Sequence, residues 1–380
     1  MSKFDEIRPY HDHEVNAALN GVARHPMMKA LMQFTFPDEE EGFWLSQFKG
    51  IHSISEFQHR FISQTVRQII RQSSEGLSTS GFDQLDKNTA YLFISNHRDI
   101  VLDTSLLNLV LLDHGLIMTS SAIGDNLVQK TFLHVLAKLN RNFLVQRGLS
   151  VREQLESSKL MSEYIDHLLH SENRSVWIAQ REGRTKDGND ATQQGVLKML
   201  AMAACEQPLT QFFKKLKIVP LSISYEYDPT DALKMPQIMA QFKNEVYIKS
   251  SGEDFKTMLS GILGQKKRIH LHAGKVLDSE LDQLECTSEG KNKQLQAIAK
   301  LIDHSIIQHY RLWPTNYIAF DLLNNSGQYS GHYTEEEKQL FERRLEMRIN
   351  SSDTELKKSF LAMYANPVVN ANKESRMSMP

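Results

Sequence analysis

The sequence predicts a mixed, largely parallel α/β sheet flanked by helices, with helical segments before and after it. Three observations carry this expectation. Between Thr89 and Leu277, short apolar runs bounded by polar residues alternate with stretches of helical periodicity, the pattern of an α/β layer. On either side of that region the apolar residues follow helical spacing. The 380 residues are 41% hydrophobic and 24% charged, an ordinary globular composition. That length suits two domains or one large α/β domain with helical additions.

Four regions follow. Residues 1–86 read as a polar, helical N-terminal segment. Within it Phe57, Phe61, Val66 and Ile69 or Ile70 form a helical stripe, with Arg60, Arg67 and Arg71 among them. The stretch Gly76–Gly81 reads as a break. Residues 87–280 hold the sheet. Its expected strands are Tyr91–Ile94, Leu116–Met118, Ser175–Ile178 and Ile218–Ile223, with Glu245–Ile248 and Arg268–His272 as half-exposed, alternating ones. Helical patterns intervene at about 100–112, 125–139, 150–171 and 191–206. Residues 281–365 read as a helical C-terminal segment, clearest at Asn292–His309. There Thr334 and Glu337 form a capping box opening a helix to about Met347. Residues 366–380 read as a loose tail.

Composition excludes several classes. Forty-four basic against 46 acidic residues leave a net charge of −2, without the basic excess of a dedicated nucleic-acid binder. Cys205 and Cys286 lie far apart with no CxxC pattern, so neither a zinc site nor a disulfide framework is expected, and the chain reads as intracellular. The first ten residues lack the apolar core of a signal peptide. The longest apolar stretch, Ile100–Leu112, is too short to span a bilayer and is interrupted by Asp103 and Asn108.

His270 and His272 alternate on an expected strand and favour a structural role over a metal pair, since a third ligand at useful spacing is lacking. His11-Asp12-His13 reads as solvated. The aromatic and basic run Tyr310–Tyr317 reads as a joint between helices. The sequence contains no G-x-S-x-G elbow, phosphate-loop glycine pattern or dinucleotide fingerprint, and no cofactor is expected.

The segment richest in chemistry is Ser95-Asn96-His97-Arg98-Asp99-Ile100-Val101-Leu102-Asp103. A buried strand ends at Ser95 and a helix follows, so His97 falls at the C-terminal edge of a strand, where open α/β sheets place ligands. A carboxylate folded back onto the imidazole would fix its tautomer and leave the other nitrogen to accept a proton from a hydroxyl. Asp103 is favoured for that role because Asp99 is close to the ring in sequence. The alternative is a turn histidine beside an N-capping Asp99.

With these residues the chain resembles the glycerolipid acyltransferases of the PlsC and PlsB type, whose blocks occur here in order. Asn96-His97 with Asp103 resembles the N-H-x4-D block, with five intervening residues instead of four. Arg141-Asn142-Phe143-Leu144-Val145-Gln146-Arg147 resembles the second block, with Arg141 in place of its leading glycine. Gln180-Arg181-Glu182-Gly183-Arg184-Thr185-Lys186 resembles F-P-E-G-T-R-S, lacking the threonine after Gly183 and carrying Arg181 where proline is usual. Ile218-Val219-Pro220-Leu221 and Gly274-Lys275-Val276-Leu277 resemble the closing blocks. The departures add cations around the expected phosphate site.

The resemblance implies a fatty acyl group moved from a thioester, on acyl carrier protein or coenzyme A, to a hydroxyl of a lysophosphatidate or glycerol 3-phosphate. His97 would be the base and Asp103 its partner. Arg147, Arg184 and Lys186 would bind the acceptor phosphate, converging at one sheet edge. Glu182 would hold an acceptor hydroxyl or pin an arginine, and Gly183 would allow close backbone approach. The alternatives are a catalytically weakened lipid-binding homologue and a thioesterase-like hydrolase. The expected setting is cytoplasmic, and the Phe57–Ile70 stripe with its arginines would either make peripheral contact with anionic lipid or pack on the catalytic domain.

Overall fold

The computed structural model describes residues 2–285 and 290–377. Seven strands, β1 (Ser74–Ser80), β2 (Leu92–Ser95), β3 (Thr119–Gly124), β4 (Asn142–Val145), β5 (Ser175–Ala179), β6 (Ile218–Tyr225) and β7 (Lys267–Ala273), form one sheet in the order β1-β7-β6-β2-β5-β3-β4. β2 through β6 are parallel, β7 is antiparallel to β6, and β1 is parallel to β7. This is the mixed, largely parallel sheet that the alternation predicts.

Side chains alternate across the central strands. Leu92 and Ile94 share one face with Val176 and Ile178, under the helices Val151–His170, Gln194–Leu200, Leu209–Lys215 and Lys291–Gln308. Phe93 and Trp177 share the other with Val219, under the helix Leu102–Asp113 and with Val66 and Ile69. Both faces are covered, so the strands read as continuous apolar runs. Because Leu295, Ile298 and Ile302 belong to the first of these cores, the sheet's packing continues past residue 280. The last three long helices, Pro314–Asn324, Glu335–Arg348 and Thr354–Met377, build a satellite core of Ile318, Phe341, Phe360 and Tyr364.

Several local expectations change. The Gly76–Gly81 break lies largely within β1, an edge strand of small residues. Its Ser78 and Ser80 hydroxyls bond the imidazoles of His270 and His272 on β7 at 2.7–3.0 Å. Serine–histidine pairing replaces apolar alternation there, which hides the strand from a hydrophobicity reading. β3 starts at Thr119, after Met118, and its small polar residues are held by Asn108, which accepts from Thr119 N at 2.7 Å. Glu245–Ile248 has no strand partner among the described residues and runs as a largely exposed loop between the helices Asp231–Phe242 and Glu253–Leu263. The tail from Asn366 is helical as far as Met377, continuing the helix Thr354–Met377, and Val368 in its first turn is buried. Positions 378–380 and Cys286 lie outside the described residues, and Cys205 is exposed.

The Phe57–Ile70 stripe is helical but largely buried. Phe57 and Phe61 are at most 2% exposed and complete an N-terminal core with Trp44, Phe48, Met28 and Met32, while Val66 and Ile69 pack against the sheet. These side chains are spent on internal packing, so the stripe does not offer the apolar membrane contact that is one of its two expected roles. Among the described residues no helix is long and apolar enough to cross a membrane.

Candidate active site

Parallel strands deliver their C-terminal ends to one edge, and the loop after β2 is tied there from both sides. The Asn96 carboxamide donates to Ile223 O and accepts from Ile223 N, both at 2.8 Å, which staples the loop to β6. Ser95 Oγ accepts from Trp177 Nε1 at 2.9 Å and donates to Asn96 O at 2.7 Å. On the other side Thr185 N donates to His97 O at 2.8 Å, joining the loop after β5. The backbone carrying His97 is thus held by two neighbouring strands before its side chain makes any contact.

His97 Nδ1 lies 2.8 Å from Asp103 Oδ2. An ionised carboxylate only accepts, so Nδ1 carries the hydrogen and Nε2 keeps its lone pair. The ring stands edge-on to Trp177, centroids 5.3 Å apart. Asp103 is fully buried and saturated. Its Oδ2 also accepts from Arg98 N at 2.6 Å and Asp99 N at 3.1 Å, and its Oδ1 accepts from Tyr225 Oη at 2.8 Å. Burial, and then the Asp103 charge, push the Tyr225 hydroxyl well above its usual range, so it stays a donor. Four donors on one carboxylate offset its desolvation and fix its orientation.

Asp99 is turned away from the ring. Its Oδ1 accepts from Val101 N at 2.9 Å and Leu102 N at 2.8 Å, closing the turn into the helix. Oδ2 is buried without a hydrogen-bond partner among the described residues and faces Gly261 in the helix Glu253–Leu263. Burial, then the neighbouring Asp103, raise the Asp99 pKa. A Cβ at position 261 would collide with that carboxylate. Gly261→Ala should therefore cost about 1–3 kcal/mol in urea unfolding from overpacking, against the helix-propensity gain of about 1 kcal/mol that alanine brings at an open site. A neutral or stabilising result would mean that this contact is loose.

The loop after β5 carries the third block. Gly183 has φ +70°, a conformation that glycine adopts without strain. Arg184 Nη1 donates to Thr230 Oγ1 at 3.2 Å, and Lys186 Nζ reaches Arg184 O at 3.4 Å. Burial, then the charges of Arg184, Lys234, Arg181 and Lys249, lower the Lys186 pKa to about 8. Several cations therefore crowd this loop. Arg147, after β4, instead ion-pairs with Glu182, and its backbone N–H donates to Asp125 Oδ1 at 3.1 Å. The structure groups His97 with Asp103, Arg184 with Lys186, and Arg147 with Glu182. The last pair sits at the exposed rim.

Arg141 contributes nothing to this edge. It precedes β4, so it lies at the opposite end of the strands, where its Nε donates to Gln58 at 3.1 Å. Its φ of +59° explains why the related block favours glycine at this position. The added cations are thus partly an expectation to correct: Arg181 acts on Lys186, whereas Arg141 braces the N-terminal helices.

Sequence reasoning missed a second layer. Arg98 forms a two-pronged pair with Asp190 at 3.0 and 2.5 Å and lies over the Tyr310 ring at 5.5 Å. Thr185 Oγ1 donates to the same Asp190 at 2.8 Å. Lys234 Nζ donates to Arg98 O at 3.1 Å and ion-pairs with Asp228. The Tyr310–Tyr317 joint therefore braces the histidine loop. The only sequence signal was Arg98 beside His97, because the partners lie about a hundred or more positions away.

Beside the site an apolar cavity of about 140 Å³ runs along the helix Leu102–Asp113. Ile100, Val101 and Thr104 line it near His97, and Leu109, Leu133 and Met258 line it further along. No group of three or more His, Cys, Asp or Glu is placed to hold a metal among the described residues. His272 instead stacks on His309 at 4.0 Å.

Residues 77–224 match the family model described as Acyltransferase, a span that includes His97, Asp103, Arg147 and the Glu182–Lys186 loop. Among curated proteins no sequence matches the chain. Among solved structures the chain is similar to the 1-acyl-sn-glycerophosphate (LPA) acyltransferase PlsC from Thermotoga maritima. That alignment has 10% identity and a TM-score of 0.36, covering 76% of this chain and 92% of that one.

Proposed function

We propose, from the match of residues 77–224 to the acyltransferase family model, that this protein moves a fatty acyl group from a thioester to the hydroxyl of a phosphorylated glycerol acceptor. The acceptor would be glycerol 3-phosphate or a lysophosphatidate, and the donor acyl carrier protein or coenzyme A. The observation that carries the reading is the His97–Asp103 pair, with Nε2 unengaged among the described residues, beside a cation-rich loop and an apolar cavity.

In this reading His97 Nε2 takes the proton of the acceptor hydroxyl as its oxygen attacks the thioester carbonyl. The new C–O bond forms a tetrahedral oxyanion. Its collapse breaks the C–S bond, and the imidazolium returns the proton to the leaving thiolate. Asp103, bonded to Nδ1, orients the ring and stabilises the imidazolium. The acyl chain occupies the cavity along the helix Leu102–Asp113. Arg184 and Lys186 hold the acceptor phosphate, where guanidinium donors not used by Thr230 can form charge-assisted bonds. Arg147 and Glu182 form the acceptor's outer rim.

The acceptor constant tests this assignment. Arg184→Ala should raise the KM for a phosphorylated acceptor by about 10–100-fold, the effect of losing one or two bonds to a charged group, and leave the donor KM nearly unchanged. Arg184→Lys should restore part of the loss, because an ammonium cannot reproduce the planar fork. Equal losses for phosphorylated and unphosphorylated acceptors would remove the phosphate role.

A further inference from the structure

Five of the ten large apolar side chains that stand exposed among the described residues fall within residues 242–263. Phe242, at the end of the helix Asp231–Phe242, is 62% exposed, and Val246 and Ile248, in the loop before the helix Glu253–Leu263, are 88% and 84% exposed. Leu259 and Leu263 continue the patch, spaced to share the outer face of the second helix with Lys256. The loop's conformation explains the exposure. Asn244, at φ +57°, ends the first helix, and Tyr247 turns inward so that its hydroxyl donates to Glu253 at 2.8 Å. Alternation then leaves Val246 and Ile248 together on the outer side. Clustered apolar exposure of this kind marks an interaction surface.

We propose that the 242–263 segment is a membrane-docking element that seats Phe242, Val246 and Ile248 in the interface of a bilayer containing anionic phospholipid. The inference rests on the lipid-acceptor reading above, and charge and position select the occupant. Lys243, Lys249 and Lys256 flank the apolar residues. Of the nearby carboxylates, Asp254 is paired with Lys249 and Glu253 is taken up by Tyr247 and by Ser250 N, while Glu245 stands exposed beside Val246, so Lys243 and Lys256 are the flanking cations against one open carboxylate. Lysines at the edge of an inserted apolar patch reach phosphate groups at headgroup level. In a two-fold contact between copies of this chain, the same lysines would be brought toward one another.

The helix behind the patch is also a wall of the candidate site. Its inner face presents Gly261 to Asp99 and Met258 to the apolar cavity, and Lys249 is close enough to influence Lys186. A bilayer docked here would meet the site at the wall that an acyl chain must pass.

The test uses the full-length protein and vesicles, with turnover measured separately. The parent should co-sediment with mixed phosphatidylcholine–phosphatidylglycerol vesicles. The triple variant Phe242→Ser, Val246→Ser, Ile248→Ser should lose at least about tenfold of that affinity, the smallest loss expected from removing three large apolar groups. Its activity on a short-chain thioester and soluble glycerol 3-phosphate should match the parent's, so failure of docking and failure of the acyl-transfer reading are separable. An independent readout is Ile248→Trp, whose emission should shift to the blue when vesicles are added. A parent that ignores vesicles, a triple variant that binds equally, or an unshifted tryptophan would each overturn the proposal. So would concentration-dependent self-association abolished by the triple variant, which would make the face an interface between copies.

Discussion

His97→Ala is expected to abolish acyl transfer, lowering kcat by at least about 10²–10⁴-fold, while the thermal transition moves little. The loss follows from the geometry. Nε2 has no partner among the described residues, and the Asp103 bond to Nδ1 leaves it ready to accept a proton. The fold should survive because the loop is held without the ring. Asn96 is stapled to Ile223, Thr185 N bonds His97 O, and Asp103 keeps its bonds from Arg98 N, Asp99 N and Tyr225. The measurement is initial rate with saturating donor and acceptor, alongside a melting curve. A folded variant with near-parental turnover would remove His97 from the mechanism.

The second large effect separates two carboxylates. Asp103→Asn should reduce kcat by up to about 10⁴-fold, because a carboxamide turned to satisfy one set of donors presents an N–H to the others. An N–H facing Nδ1 would reverse the histidine tautomer and occupy Nε2 with hydrogen. The same change leaves buried donors unmatched, so stability should also fall by about 1–3 kcal/mol. Asp99→Asn should have a much smaller effect on rate, since its Oδ1 contacts survive in asparagine.

The sign of the Asp99 stability change is also fixed. Its pKa is raised in the fold, so ionisation opposes folding as pH rises from the unfolded value through the folded one. Asparagine removes that opposition at neutral pH. If Asp99→Asn proves the more damaging to rate, the pairing of Asp103 with His97 is not the catalytic one.

The parts legible in the sequence were those written in local pattern. β2, β5 and β6 are buried on both faces and appear as apolar runs, and the loop after β2 places His97 and Asp103 one turn of chain apart. The parts that were not legible depend on distant partners or on polar pairing. β1 is a serine strand recognisable only beside His270 and His272. The Phe57–Ile70 stripe left lipid contact and internal packing equally open because its arginines are near in sequence, and its apolar side is covered by the N-terminal helices and by the core against the sheet. Val246-Tyr247-Ile248 alternates like a strand, but the sheet offers it no edge. Asp190, Tyr225 and Tyr310 entered the site through tertiary contact alone.

One measurement bears most directly on the central claim. Purified protein is incubated with a long-chain acyl thioester, first alone and then with glycerol 3-phosphate, lysophosphatidate or glycerol, and the products are identified by mass. The account predicts an acylated product with a phosphorylated acceptor, little with glycerol, and little free fatty acid when no acceptor is present. Release of free fatty acid at the same rate with and without acceptor would contradict acyl transfer and make the His97 site that of a hydrolase.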